Sequence, residues 1–535
     1  MEGLLRYGEG NHMRHLLLSV VVLALAAAGC SGAAGDGKGG DPIDPNATIR
    51  IAASDDEWPR QGTDAESTTF AYPLNVNVYE PLIRLAPDYS LQPGLATRWE
   101  LVDGKTWRFN LRRGVTFHDG SQLTADDVLW TWAVRQQEGQ TLATVTDTLG
   151  PDSVRKVDEY TVDFTPEVPN LRLPQQIVHP EGAIVPEGKH FDSTPPVGTG
   201  PFRVASYRPN ESVELDRFEG YWGTKPNAKR LEFRFLPDSQ TRLQALQAGN
   251  VDVVLDPNPE SVPSLETGSR FRVVRSEPGR AQLIYIKIHG KDQQPLGSDP
   301  AVREAVSLAI DRRSYVEVAF AGNAAPGRWM GPKSVLGPYA DRVAPVPFDP
   351  DRARRVLDAA GWREGPGGIR VKDGRDLSLR LIGWAEVSDT SFGFLQSQLR
   401  NVGIDVEVSK APDNAAFTRL RESGNYDLNL EVPNQNDGNP AFLPVLRFYS
   451  PAPISADYAP GARFDDVAEQ ALAAEGSDGV QQAAAEMMRI LANEEYIVVP
   501  LAGMYRIYAM TRDVEFAGPH PSQTSQLWTG LAKHS

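Results

Sequence analysis

Between Trp99 and Trp132 the apolar positions first alternate and then fall three and four apart, so a strand pair gives way to a helix. Trp99 and Leu101 form one arm and Asp103-Gly104 the turn. Trp107, Phe109 and Leu111 line one face of the returning arm, with Arg108 and Asn110 on the other. Gly114 to Gly120 then turn the chain. Thr124 opens a helix by capping its free amides, and Asp127, three residues on, reaches back in a capping box. Val128, Leu129 and Trp132 form the buried stripe of that helix.

The same patterns continue along the chain. Ile49 and Ile51 start a first strand near Thr48. A short helix over 242–248 ends at Gly249-Asn250, and 251–254 is the next strand. Residues 281–288 alternate as a strand that is expected to carry the chain from one lobe to another. Asp299-Pro300 and Asp349-Pro350 each open a helix. The first buries Val302, Ala305, Val306, Ala309 and Ile310; the second buries Val356 and Leu357 and stops at Gly361. A strand over 377–381, a helix over 394–402 and the alternating Ile404, Val406 and Val408 follow. This succession predicts an α/β lobe with a mostly parallel sheet. Helices over 465–472 and 480–491 and a strand over 497–499 come next, and the chain is expected to return to the first lobe near 505–511.

Composition sets the scale of this picture. A chain of 535 residues, 41% hydrophobic and 23% charged, is ordinary globular material for two or three cores. Its 54 basic and 70 acidic side chains give a net charge of −16 without a basic cluster, which excludes a nucleic-acid partner. Cys30 is the sole cysteine, so there is neither an intramolecular disulfide nor a thiolate metal site. It follows Arg14, His15 and an apolar run over 16–28, too short for a final membrane anchor and of signal-peptide length. Ala27-Ala28-Gly29-Cys30 resembles a bacterial lipobox in which Ala27 replaces the usual Leu. Residues 1–29 are therefore expected to be a signal peptide, with Met13 a second candidate start. Residues 30–47 are expected to be a flexible tether with a lipid on Cys30.

Candidate chemistry is sparse. Val197-Gly198-Thr199-Gly200-Pro201-Phe202 lacks the Gly-Lys-Ser/Thr of a phosphate loop and reads as a turn into a strand. No Gly-x-Ser-x-Gly elbow and no His-Glu-x-x-His helix is present. His118-Asp119 has no further His or Cys at a ligand spacing and reads as a turn. Asp126-Asp127 and Asp465-Asp466 stand at helix starts, where they suit the dipole. The expectation is a protein that is not an enzyme and carries no cofactor and no metal.

Several runs carry a resemblance. Arg112-Arg113-Gly114-Val115-Thr116-Phe117-His118-Asp119-Gly120, followed by Leu123-Thr124-Ala125-Asp126-Asp127-Val128, resembles the peptide/nickel family (family 5) of ABC-transporter solute-binding proteins, of the oligopeptide- and dipeptide-binding lipoprotein type. VELDRFEGYWG, the step from Gly249 to Val251-Asp252, VREAVSLAIDRRSYV, DPDRARRVLDAAGW, LQSQLRNVGIDVEV and Tyr426-Asp427 repeat that family's order from Thr48 onward. The resemblance implies an α/β fold, a periplasmic-binding-protein-like clamp of two lobes with an extra subdomain in the first (type II, cluster C-like). Lobe I would comprise 48–80, 196–283 and 508–535, the extra subdomain 81–195, and lobe II 284–507. It further implies a monomeric, lipid-anchored extracytoplasmic protein that captures a small peptide and delivers it to the permease and ATPase of an importer. A nickel chelate or an oligosaccharide is the alternative cargo, and a non-transport envelope role the alternative function.

For the site, Asp55 lies in the run Ser54–Glu57 after the first strand, where α/β proteins place ligand loops. Trp58, Trp384 and Tyr285 are candidates to line a pocket, although large rings more often pack. After the strand at 426–431 comes the loop with Asn434, Gln435, Asn436, Asp437, Gly438, Asn439 and Pro440. In peptide-binding relatives the matching loop carries an aspartate that pairs with the ligand's α-amine. The resemblance puts Asn436 at that place, or Asp437 if the loop is shifted by one residue. Asn434 and Asn439 complete the polar set, whose alternative role is a turn.

Overall fold

A computed structural model of the chain describes residues 42–54, 71–137, 149–150, 152–191, 193, 195–290, 295–384, 387–433, 438–452, 455–474, 476–522 and 525–535. The capping box forms: Thr124 N donates to Asp127 Oδ2 at 2.7 Å and Asp126 N to Thr124 Oγ1 at 3.3 Å, opening the helix Ala125–Gln137. That helix packs on a four-stranded antiparallel sheet in the order Ala96–Leu101, Trp107–Leu111, Thr161–Phe164, Val154–Asp158. Phe164 meets Phe109 at 5.1 Å and Trp132 at 4.8 Å, edge to face, so the alternating strand and the helical stripe share one core.

His118 explains why its run is followed by a glycine-rich turn far along the chain. Its Nδ1 accepts from Gly198 N–H at 3.3 Å, and Nε2 donates to the Gly200 carbonyl at 3.0 Å. A Cβ on Gly198 would lie 2.1 Å from the Val78 carbonyl oxygen, so that turn is glycine-rich because backbones touch there. Buried Glu80 gathers the surrounding motifs, accepting from Trp222 Nε1 at 2.7 Å, Thr199 Oγ1 at 2.8 Å and Tyr221 Oη at 3.0 Å, and pairing with Arg84. Three stretches distant in sequence thus meet at one carboxylate.

Two larger sheets form the body. The first has the order Phe202–Arg208, Ser212–Arg217, Arg230–Phe235, Thr48–Ala53, Val253–Leu255, Ile507–Thr511, Phe271–Arg275. The second has the order Ala324–Pro326, Val498–Met504, Arg280–Ile286, Leu428–Glu431, Ser378–Gly383, Asp405–Lys410. In the second sheet, Ser378–Gly383 is parallel to both of its neighbours, and every other pairing is antiparallel. The expected mostly parallel sheet is therefore corrected to a mixed one. The strand that enters from the first sheet lies beside the strand that returns to it, and such neighbours run in opposite senses.

Those two connections are short and adjacent. Residues 276–279 join Phe271–Arg275 to Arg280–Ile286, and residues 505–506 join Val498–Met504 to Ile507–Thr511. Ser276 N donates to the Arg506 carbonyl at 3.0 Å, and Arg506 N donates to Ser276 Oγ at 3.0 Å. The Arg506 guanidinium pairs with Asp256 at 3.0 Å.

The second sheet is covered on both faces. Ile284, Ile286, Leu428 and Leu430 pack with Val302 and Leu395, which belong to the helices Pro300–Ala309 and Asp389–Arg400. Leu283 and Tyr285 face the other way, into a core with Phe448, Tyr458 and Met487. None of the helices among the described residues is long and apolar enough to cross a membrane.

Candidate functional site

The strand Leu428–Glu431 holds the second sheet together. Asp427, just before it, accepts from Arg380 N at 3.0 Å, Arg380 Nε at 2.8 Å and Leu296 N at 3.3 Å, which accounts for the Tyr426-Asp427 pair without any ligand. Leu428 and Leu430 point into one core, and the period of two sends Asn429 and Glu431 to the opposite face. There the helix Phe442–Phe448 lays Arg447 over them.

The resulting cluster is polar and almost closed to solvent. Arg447 Nη2 donates to Glu431 Oε2 at 2.7 Å, with side-chain exposures of only 13% and 7%. Asn429 Nδ2 donates to Glu431 Oε1 at 2.5 Å and to Tyr458 Oη at 3.3 Å. The Tyr458 and Tyr426 hydroxyls share a bond of 2.8 Å, and Tyr426 donates to Asp457 at 2.8 Å, which in turn pairs with Lys287 at 3.1 Å. The Arg447 guanidinium carbon stands 5.5 Å from the centre of the Tyr285 ring. Burial opposes the charge on Arg447, but Glu431 and the surrounding phenols hold its pKa above the ordinary arginine value. Burial pushes the Tyr285, Tyr426 and Tyr458 phenols up, so all three stay protonated near neutrality.

Of the residues expected at the site, Tyr285 lies in this cluster, fully buried, with its ring 5.8 Å from Phe448 and 5.9 Å from Tyr458. Trp384 follows the strand Ser378–Gly383, partly buried against the core that holds Tyr285. Asn439 is buried, and its Oδ1 accepts from Ala441 N at 3.0 Å at the entry to the helix Phe442–Phe448, as a turn residue does. Cys30, Asp55, Trp58, Asn434, Asn436 and Asp437 lie outside the described residues. The loop's far end is placed: a Cβ on Gly438 would be 3.1 Å from Leu85 Cδ1 and from the Tyr89 carbonyl oxygen. Leu85 and Tyr89 belong to the hairpin Ile83–Leu85 and Leu91–Pro93, outside the second sheet but in the same hydrophobic core as Leu283, Tyr285 and Phe448.

Sequence reasoning did not single out Asn429, Glu431 or Arg447. Their signal was present: two polar residues alternate through a strand flanked by apolar ones, and one Arg interrupts FLPVLRF. Among the described residues no group of three or more His, Cys, Asp or Glu is assembled as a metal site.

Comparison with known proteins gives these features a setting. The model of the bacterial extracellular solute-binding proteins, family 5, matches residues 90–453. Protein XP55 of Streptomyces lividans is 31% identical over 419 residues, 75% of this chain and 74% of that protein. The dipeptide-binding protein of Escherichia coli (strain K12) is 29% identical over 301 residues, 51% of this chain and 55% of that protein. NikA from Brucella suis, solved in complex with Fe(III)-EDTA, has a TM-score of 0.81 at 24% identity, covering 91% of this chain and 100% of its own.

Proposed function

We propose a function from one premise: the chain belongs to the bacterial extracellular solute-binding proteins of family 5. These are type II clamps of ABC importers that bind peptides, nickel chelates or other solutes outside the cytoplasm and deliver them to permeases; they are not enzymes. In this chain the cargo is a small peptide, held between two lobes built on the two large sheets. The observation that carries this reading is Gly438. Gly438, after the strand Leu428–Glu431, packs against Leu85 and Tyr89, which lie in the stretch expected as the extra subdomain of the first lobe, and this contact supports a solute site beside it. The 29% identity to a dipeptide-binding protein supports a peptide, while the 28% identity to the nickel-binding periplasmic protein of Escherichia coli (strain K12) keeps a nickel chelate as the second reading.

The paired connections at 276–279 and 505–506 serve as the hinge, since two short crossings permit rotation with little change inside either core. A thermal-shift screen of di- and tripeptides, nickel–histidine and disaccharides tests the cargo, with scattering on the same samples testing closure. Peptides are expected to raise the melting temperature and contract the envelope. A shift with the sugars alone, or with nickel–histidine alone, replaces the peptide reading. An unchanged envelope at saturation removes the hinge.

The chain is exported and anchored through a lipid on Cys30, as the basic, apolar and small-residue succession before it supports. Cys30→Ser is expected to move the protein from the membrane to the soluble fraction. Equal membrane retention of wild type and variant would end the lipoprotein reading.

A further inference from the structure

The cluster around Glu431 leaves hydrogen-bonding capacity unused. Tyr285 Oη, Asn429 Oδ1 and Arg447 Nε are buried and have no hydrogen-bond partner among the described residues. Buried polar atoms are nearly always paired, so three on neighbouring side chains mark a place where something else bonds. They are neighbours by construction. Tyr285 and Asn429 stand opposite each other in the antiparallel pairing of Arg280–Ile286 with Leu428–Glu431, on one face of the sheet. Arg447 comes down on them from the helix Phe442–Phe448, with its guanidinium carbon 5.5 Å from the Tyr285 ring centre.

We propose that Tyr285, Asn429 and Arg447 form a subsite for an uncharged hydrogen-bonding group of the solute, of the carboxamide class. The unused set contains one N–H donor, one carbonyl acceptor and one hydroxyl able to do both. A carboxamide complements it: the carbonyl accepts from Arg447 Nε and Tyr285 Oη, and an N–H donates to Asn429 Oδ1. Charge argues the same way. Glu431 and Arg447 already neutralise each other at 2.7 Å, so a carboxylate or an ammonium here would bury a charge without a counter-charge. The pair keeps a residual side-chain exposure of 13% and 7%, and Glu431 is the last residue of the strand before Gly438 packs on Leu85 and Tyr89. The subsite therefore adjoins the cleft assigned above, and as part of solute capture it rests on that reading.

The test uses three isosteric probes that differ in charge: acetamide, acetate and acetamidinium. Crystals of the full mature chain are soaked in each at equal concentration. Acetamide is expected in the cluster, bonded to Tyr285 Oη, Asn429 Oδ1 and Arg447 Nε, with occupancy at least tenfold above either ion. Asn429→Asp, which keeps the shape and adds a negative charge, should transfer the preference to acetamidinium. Ordered water alone in all three soaks, or acetate or acetamidinium bound in preference to acetamide, overturns the proposal. Acetamide bound here while no peptide shifts the melting temperature would sink the peptide reading and leave the subsite. Peptide binding with only water in the cluster would do the reverse.

Discussion

Glu431→Leu is expected to lower the unfolding free energy by about 3–5 kcal/mol, the largest single loss anticipated for this chain, because it strands Arg447 in a buried place without its counter-charge. The magnitude follows from burial. The exposed pair Arg98–Glu100, at 66% and 49% side-chain exposure, sits in water and is worth about 0.5 kcal/mol or less. Arg447 and Glu431 retain only 13% and 7%, and removing one leaves the other desolvated and unpaired. The double variant Glu431→Leu, Arg447→Leu should recover more than half of the loss, since a closed apolar contact replaces a closed ion pair. Urea denaturation of wild type, both single variants and the double variant measures this coupling. Simple additivity of the two single losses would show that the pair does not act as a unit.

The second large effect is a loss of stability in mild acid, carried by His118. Burial is the main cause that holds its pKa down to about 4, against 6.5 in the unfolded chain; the Gly200 carbonyl partly offsets it. Between those values the unfolded chain binds a proton that the folded chain refuses. The contribution is therefore complete above pH 6.5 and falls as the pH drops toward 4, by about 2 kcal/mol at pH 5 and about 3 kcal/mol at pH 4. Buried His520 is shifted in the same direction, so the comparison must isolate one ring. Stability of wild type and His118→Gln from pH 7.5 to 4 provides it. The variant is expected to lose less than wild type by those amounts, and parallel curves for the two proteins would refute the assignment.

The same histidine shows how far a sequence can be read. Its pairing with Asp119 suggested a turn, and Asp119 does accept from Ser121 N at 3.0 Å and Ser121 Oγ at 2.7 Å. That His118 also clamps a turn eighty residues away, between Gly198 and Gly200, has no local signature. Spacing along the chain reports neighbours within a helix turn or a strand repeat, whereas partners across the fold are fixed by pairing order.

What the sequence determined by itself were the features whose causes lie within a few residues. Thr124 and Asp127 cap a helix because three residues of helix bring them together. Trp107, Phe109 and Leu111 share a face because strand side chains alternate. The ordered succession of such motifs also carried the resemblance to the family that the comparison established. Tertiary structure alone decided what those local features face. In Leu428–Glu431 the alternation of apolar and polar residues looks like a strand wet on one side, yet the helix Phe442–Phe448 covers that side. Tyr285 illustrates the same limit: an aromatic in an apolar strand reads as core or pocket lining alike, and only the fold sets its hydroxyl, without a hydrogen-bond partner among the described residues, beside Asn429 and Arg447, where the proposed subsite lies. Burial of a polar group depends on which distant segment packs over it, and the free energy of that packing is set by the whole sheet and its covering helices rather than by the strand's own residues.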